Sequence, residues 1–176
     1  MERALREFVS HREPVDVVTV AWGTDMRLRR SAYLDGASPP VAAVTSARAI
    51  VLRDDAVLVA TDADGTRHIL PGGRIEAGED VETALRREIA EETGRGVGDL
   101  APLGFLHFLH LTPRPAGYRY PYPAFAQVIF VVRASERLPA AVPDDYVVGS
   151  TFIPVTEARR MGISTAERAF LDAALR

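Results

Sequence analysis

The chain has 176 residues, of which 47% are hydrophobic and 26% charged, and its formal net charge is −3. These values predict one soluble globular domain and argue against a transmembrane protein, since no apolar run approaches the roughly 20 residues that cross a bilayer. The absence of cysteine excludes disulfides, thiolate catalysis and cysteine-ligated metals, and the charge gives no basis for binding a long nucleic acid. The N-terminal residues lack the apolar stretch of a secretory signal, so we expect a cytoplasmic location.

The first 40 residues read as an N-terminal extension. Residues 2–9 predict a short helix, and the β-branched stretch 15–22 predicts a strand. Residues 23–40 carry a hairpin signal and a Gly/Pro-rich break, which ends at Pro39-Pro40. Because the apolar strand would be an exposed edge in a monomer, we expect the extension to pair within the fold or across a homodimer.

Residues 41–176 read as the main domain, with an α/β fold. Strands are predicted at 41–53, 56–61, 66–70, 101–111, 124–133 and 147–153. A last helix is expected to begin near Ser164, whose partner Glu167 completes a capping box. Since the helices are separated along the chain by strands, the pattern indicates a mixed sheet with helices on its faces.

The central helix is predicted between residues 81 and 93. Asp80 is a suitable N-cap, the run that follows contains neither Gly nor Pro, and Gly94 stands where a C′ glycine belongs. Its apolar stripe, which we expect to pack on the sheet, consists of Val81, Ala84, Leu85 and Ile89.

Three glutamates crowd the end of this helix. Glu88, Glu91 and Glu92 stand at i, i+3 and i+4, so their carboxylates share one face. Each like-charge pair costs roughly 0.2–0.5 kcal/mol, and acids in the last turn oppose the helix dipole by about 0.3–1 kcal/mol more. The plain alternative is a solvated acidic face, in which arginines offset the acids through the i, i+4 pairs Glu82–Arg86, Arg87–Glu91 and Glu91–Arg95.

The setting of the glutamates favours metal and phosphate chemistry. Gly72 and Gly73 precede the helix and predict a bend that lets a ligand approach the backbone. Carboxylate oxygens suit a hard cation such as Mg²⁺ or Mn²⁺. A hard cation beside a Gly-rich bend is typical of phosphate-handling sites.

The same residues resemble the Nudix hydrolase family, whose box is G-x5-E-x7-R-E-U-x-E-E-x-G-U, where U is a bulky apolar residue. The match runs from Gly73 through Glu79 to the segment 87–94, and "LPG" at 70–72 precedes it. Arg95 departs from the pattern, which has an apolar residue at that position. The resemblance implies an α/β/α sandwich with a mixed sheet and a loop–helix–loop metal site.

The resemblance also implies a ligand set. Glu88, Glu91 and Glu92 would bind one to three divalent cations, Mg²⁺ or Mn²⁺, and the carbonyl of Gly72 or Gly73 is a further candidate ligand. The cations would bridge a diphosphate, polarise the phosphorus and lower the pKa of the attacking water. In the family, the box arginine and the earlier glutamate, here Arg87 and Glu79, brace the loop–helix–loop.

The general base stays open between the box and a later loop. Glu91 and Glu92 are the candidates in the box, and Glu136, Asp144 and Asp145 are the candidates downstream. For the downstream pair an ordinary polar turn after Pro143 is the competing interpretation. His107 and His110 are interpreted as half-buried strand histidines rather than as ligands.

Candidate substrate contacts lie in two places. The loop at 114–125 offers Tyr118, Arg119, Tyr120 and Tyr122, which could stack on a base and pair with phosphate. His68 stands where many family members place an aromatic residue ahead of the box. Stiff, Pro-rich turns with surface tyrosines also occur without a ligand.

The resemblance implies a Mg²⁺-dependent enzyme that cleaves a nucleoside diphosphate linked to a group X, giving NMP and P-X. The alternative is a catalytically silent nucleotide-binding or regulatory module with the same fold. Such modules usually lose a box carboxylate, whereas all of them are present here. A diphosphate isomerase or a nucleic-acid decapping relative is a weaker interpretation, because the low basic charge disfavours a long RNA.

Overall fold

The computed structural model describes residues 2–137 and 147–176, which form a mixed β-sheet with helices on both faces. The helices are α1 (Glu2–Ser10), α2 (Val81–Thr93), α3 (Val155–Ala158) and α4 (Thr165–Ala174). The strands are β1 (Asp16–Trp22), β2 (Met26–Tyr33), β3 (Val44–Arg53), β4 (Ala56–Asp62), β5 (Arg67–His68), β6 (Gly72–Arg74), β7 (Arg95–Val97), β8 (Ala101–His110), β9 (Ala124–Arg137) and β10 (Val147–Pro154). None of the described helices combines the length and apolarity that a bilayer crossing requires.

The strands follow the order β1-β2-β8-β9-β3-β4-β10, and the short strands β5, β6 and β7 pair with β4, β3 and β9. β3 and β9 run parallel, whereas β3 pairs antiparallel with both β4 and β6. The antiparallel partners of β3 change along its length. Residues 46–48 pair with β6, and residues 52–53 pair with β4. β4 and β6 therefore pair with different stretches of the same edge of β3, while β9 occupies the other edge.

Alternation along β3 divides the core between the two faces of the sheet. Ile50 packs in one cluster with Phe170 of α4, and the next residue, Val51, packs in another with Leu85 of α2. Neighbouring strand residues point to opposite faces, so α4 and α2 lie on opposite sides of the sheet. A third cluster of the core contains Leu5 of α1, which packs with Ala124 and Ala126 of β9. The predicted α/β/α sandwich with a mixed sheet is confirmed.

The N-terminal segment is joined to the main sheet. β1 and β2 form an antiparallel hairpin in which Trp22 pairs with Met26. β2 continues the sheet by pairing antiparallel with β8, from Leu28 opposite His110 to Tyr33 opposite Phe105. The hairpin therefore pairs within the fold, and β1 is the edge strand. The division of the chain at residue 40 and the homodimer stay predictions.

Three short segments differ from the sequence-based assignment. Residues 41–43 form a 3₁₀ turn instead of the start of a strand, because the N–H of Ala43 bonds the carbonyl of Pro40 at 2.8 Å. In the segment 66–70 only Arg67–His68 is strand. The sequence pattern does not predict β7, which pairs with an extension of β9 beyond residue 133.

Candidate active site

Two glycines bring β6 close to β3 and to α2. Gly72 has φ +123, and a Cβ at this residue would lie 2.9 Å from the Cα of Arg48, so only glycine lets the two strands meet. A Cβ on Gly73 would lie 2.6 Å from Oε1 of Glu88. The predicted bend is wrong, because both glycines lie in β6. The space they leave is taken by the backbone of β3 and by the Glu88 carboxylate.

The caps of α2 fix where its glutamates emerge. The Asp80 carboxylate accepts from the N–H of Thr83 at 2.7 Å, and Gly94 ends the helix with φ +65. Both predicted caps are confirmed. The predicted apolar stripe packs on the sheet with Ala84, Leu85 and Ile89 fully buried. The acidic positions of the helix are consequently turned away from the core.

Arg87 links the loop before α2 to two of the glutamates. Its Nε and Nη2 bond the two carboxylate oxygens of Glu79 at 2.7 and 2.9 Å, and Nη2 also bonds the carbonyl of Arg74 at 3.0 Å. Nη1 bonds Glu88 at 3.1 Å and Glu91 at 3.0 Å. This side chain therefore ties α2 to the segment between β6 and the helix.

The same contacts shift two pKa values. The hydrogen bonds from Arg87, with that from the N–H of Glu76, lower the pKa of Glu79 to about 2. The hydrogen bonds to Glu79 raise the pKa of Arg87 above its ordinary value. Both side chains are therefore charged at every physiological pH.

The three glutamates are held by different donors. Glu88 and Glu91 share Nη1 of Arg87, whereas Oε2 of Glu92 accepts from the N–H of Gly72 at 2.8 Å. The expected repulsion is thus offset by one guanidinium and one backbone donor. Within residues 2–137 and 147–176, no three acidic or imidazole groups converge as a metal-ligand set.

Two i, i+4 pairs of the alternative interpretation form on α2. Arg86 contacts Glu82 at 2.8 Å, and Arg87 contacts Glu91 at 3.0 Å. Both pairs lie on α2, but the second belongs to the Arg87 network, so the acidic face is not a purely solvated one.

Arg95 contacts an aromatic ring instead of packing as an apolar residue. Its guanidinium carbon lies 5.2 Å from the ring centroid of Phe152 on β10. The guanidinium of Arg53 lies over the same ring at 4.0 Å. A cation–π contact thus connects the end of α2 to β10 where the family pattern has an apolar side chain.

A cleft of roughly 1120 Å³ contains part of this arrangement. Glu88 and Glu92 line it together with Gly72 and Gly73, whereas Glu91 is not among the lining residues. The side chain of Glu88 is 12% exposed and that of Glu91 is 37% exposed. The cleft therefore receives two of the three glutamates, and its size suits a nucleotide-sized ligand.

The predicted substrate contacts are divided between the cleft and a neighbouring loop. His68 lines the cleft, and its Nε2 lies 3.2 Å from Oδ1 of Asp62. The hydroxyl of Tyr118 lies 3.0 Å from Nε2 of His110. Tyr120 bonds and stacks with Arg74, which lines the cleft, and Arg119 is exposed. The tyrosine loop is thus connected to the cleft through Arg74.

The downstream candidates for the general base lie at or beyond the edge of the described structure. Glu136 belongs to β9, near the end of that strand. Asp144 and Asp145 lie outside the described residues. The two strand histidines are more buried than expected, at 7% exposure each. Burial lowers the pKa of His107 to about 4 and that of His110 below its ordinary value, so both are neutral near pH 7.

Sequence reasoning missed the residues that the N-terminal hairpin gives to the cleft, which are Val20, Trp22 and Arg30. The sequence contained a signal for Arg30. Arg30 stands in phase with Leu28 and Ala32, both of which are fully buried, so a charged residue occupied an inward position of the strand.

Comparison with known proteins agrees with this geometry. The NUDIX domain family model matches residues 43–174. A MutT-like protein from Streptomyces ambofaciens is 39% identical over 69 residues, which cover 39% of this chain. The matched region spans 45% of that curated relative, which is less than half of its length.

Solved structures establish the fold. A pyrophosphohydrolase from Bacillus subtilis, solved as a point mutant, superposes with a TM-score of 0.61 at 19% identity, over 88% of this chain and 94% of that one. A NUDIX hydrolase from Nitrosomonas europaea gives a TM-score of 0.51 at 22% identity, over 72% of this chain and 79% of that one. Because the family model covers well over half of the sequence, this chain belongs to the Nudix family.

Proposed function

We propose that this chain is a Mg²⁺-dependent pyrophosphohydrolase that cleaves a nucleoside diphosphate linked to a group X. Water adds to one phosphorus, the bridging P–O bond breaks, and the products are NMP and P-X. The observation that carries the proposal is the entry of Glu88 and Glu92 into one cleft beside Gly73. Family membership and the pyrophosphohydrolase among the similar folds support the reaction class.

The residues of the cleft suit a divalent cation in their chemistry. Glu88 and Glu92 offer hard carboxylate oxygens, and the missing side chain of Gly73 leaves the space that the Glu88 carboxylate occupies. Glu88, Glu92, Glu91 and the carbonyl of Gly72 would hold the cation. When bound, it would neutralise phosphate charge and lower the pKa of a bound water.

The protein groups have separable roles in this proposal. Arg87 orients Glu88 and Glu91 while Glu79 fixes the guanidinium, so both are positioning residues. Of the two box candidates for the base, Glu92 lines the cleft and Glu91 is bonded to Arg87. Both carboxylates therefore stay candidates for taking the proton of the attacking water, and the one that acts as the base does not also bind the cation through the same oxygen.

A product assay tests the proposal. The chain is incubated with nucleotide sugars, dinucleoside polyphosphates and nucleoside triphosphates in Mg²⁺ or Mn²⁺, and NMP release is followed by chromatography. We expect turnover of at least one class, its loss in excess EDTA, and its loss in Glu88→Gln. Nucleotide binding without any turnover would identify a silent binding module, and turnover that persists in EDTA would contradict the metal requirement.

A further inference from the structure

The N-terminal hairpin supplies part of the cleft wall. Val20 and Trp22 of β1 and Arg30 of β2 line the same cleft as Glu88 and Glu92. The hairpin precedes residues 43–174, the part of the chain that matches the family model. The wall it forms therefore lies outside the region that the family model matches.

Trp22 packs against a stacked pair of phenylalanines. Its ring lies 5.1 Å from Phe108 and 5.7 Å from Phe125, tilted from them by 43° and 40°, and these two rings stack on each other at 4.9 Å with an interplanar angle of 7°. Phe108 and Phe125 are 3% and 2% exposed, whereas Trp22 is 37% exposed. A half-exposed indole on a buried aromatic base is a rigid platform on which a planar ligand can stack.

Arg30 places hydrogen-bond donors beside this platform. It pairs with Phe108 across β2 and β8, and its Nη2 bonds Asp16 at 3.1 Å. Its Nε is buried without a partner among the described residues, so it lies out of reach of a ligand in the cleft. The side chain as a whole is 19% exposed, and its other guanidinium donors are the ones that a ligand can meet. Because Asp16 neutralises the guanidinium, a neutral acceptor suits Arg30 better than a phosphate.

Gln127 adds a second polar group to the floor of the cleft. It is 8% exposed, lines the cleft, and pairs with Leu106 on β8 and with Ser46 on β3. An amide can both donate and accept, which matches the mixed edge of a nucleobase. A flat apolar surface bordered by one donor group and one amide is the chemistry that recognises a base.

We propose that the β1–β2 hairpin forms the nucleobase subsite, in which the base stacks on Trp22 and accepts a hydrogen bond from Arg30. This inference rests on the proposed function, because it places the base of the same substrate whose diphosphate meets Glu88 and Glu92. The substrate class is accordingly a diphosphate that carries a nucleobase, and diphosphates without an aromatic group bind weakly. The tyrosine loop is the rival location for the base, since Tyr120 is equally exposed at 37%.

Trp22 is the single tryptophan of the chain, so its fluorescence reports this subsite directly. The full chain is titrated with nucleoside mono- and diphosphates, and with ribose 5-phosphate and inorganic pyrophosphate as probes that lack a base. We expect saturable quenching by the nucleotides, corrected for base absorbance, and none by the base-free probes. Equal signals from both groups, or no saturable signal from any nucleotide, would overturn the proposal.

Variants separate stacking from folding. Trp22→Leu should weaken nucleotide binding, measured by calorimetry, on the order of ten-fold through loss of base stacking. It should raise KM by a similar factor with kcat nearly unchanged, and Trp22→Phe should recover most of both. Val17→Ala on the same strand, whose side chain is 52% exposed, serves as the control. Loss of binding in Tyr120→Leu with none in Trp22→Leu would locate the base on the tyrosine loop and overturn the proposal.

The two proposals fail in different ways. Turnover of a nucleotide substrate that is unaffected by Trp22→Leu would leave the hydrolase in place and reject the hairpin subsite. Quenching by nucleotides in a chain that hydrolyses no diphosphate would reject the hydrolase and retain the subsite.

Discussion

The carboxylate of Glu92 accepts a hydrogen bond from the backbone N–H of Gly72 at 2.8 Å, which joins the last turn of α2 to β6. An acid in this turn opposes the helix dipole, yet here it meets a fixed donor from a residue 20 positions earlier. The contact requires the close approach of β6 that Gly72 permits. The acidic helix end and the glycine pair are therefore parts of one arrangement.

Substitution by alanine should have different effects on stability and turnover at Gly72 and at Gly73. Gly72→Ala should lower the free energy of unfolding by at least about 2 kcal/mol, because φ +123 is strained for alanine and the Cβ meets the backbone of β3. Gly73→Ala displaces the Glu88 carboxylate and should lower kcat on the order of 100-fold with a smaller loss of stability. Denaturant unfolding and turnover assays measure both effects.

Gly162→Ala is the matched control, since a Cβ there meets nothing within 4 Å. We expect it to keep both stability and turnover. Equal behaviour of Gly72→Ala and Gly73→Ala would show that the two positions have one shared structural role.

The Arg87–Glu79 ion pair should give stability a specific dependence on pH. The pKa of Glu79 falls from 4.5 to about 2 on folding, so the unfolded chain binds more protons between these values. The contribution of the pair is complete above about pH 4.5 and is lost as the pH falls toward 2. Parent and Glu79→Gln should consequently differ most near pH 6 and converge in acid.

Urea unfolding from pH 6 to pH 2.5 measures this difference, with Glu82→Gln as a control in an exposed pair. A gap between parent and Glu79→Gln that stays constant over this range would contradict the pairing.

The local features of the chain were predictable because neighbouring residues determine them. The caps Asp80 and Gly94 and the capping box of Ser164 with Glu167 all form as expected. These caps are short-range relationships, in which each residue acts within one or two turns of helix. The Nudix box was recognisable by its resemblance to the family pattern, which fixes residue types as well as their spacing.

The long-range features were not predictable from the pattern. Two adjacent glycines usually mark a bend, and only the pairing of β6 with β3 shows why they are needed in a strand. The place of Trp22 beside Phe108 depends on the pairing of β2 with β8, which lies far along the chain. The alternation of apolar and polar residues indicates which side chains of a strand face the core, but it does not indicate which strand pairs with it.

His107 should destabilise the fold in mild acid. Burial, assisted by the positive charge of Arg29, lowers its pKa from 6.5 to about 4, so the unfolded state binds the proton more readily. Stability should therefore fall as the pH drops from 6.5 to about 4, by up to about 3 kcal/mol, and this contribution should then level off.

Thermal melts across this range compare the parent with His107→Leu, which should lose this part of the slope. His11→Gln, at an exposed residue, should keep the slope of the parent. A parent whose stability is flat between pH 6.5 and pH 4 would show that His107 is neutral or charged in both states alike.

The role of Glu92 in metal binding is tested by comparing the parent with Glu92→Gln in the presence and absence of Mg²⁺. The substitution keeps the shape and an oxygen that can accept from Gly72, while it removes a charge that opposes the helix dipole. Without metal the variant should be as stable as the parent or more stable, by up to roughly 1 kcal/mol. With Mg²⁺ the parent should gain more stability than the variant, because only the native parent keeps the full ligand charge.

Thermal melts of both proteins with Mg²⁺ and with EDTA, run beside NMP release from the best substrate, give the decisive measurement. We expect Mg²⁺ to reverse the order of stability and turnover of Glu92→Gln to fall by orders of magnitude. A variant that is clearly less stable than the parent in EDTA, or that retains turnover near that of the parent, would show that Glu92 serves the fold and not the reaction.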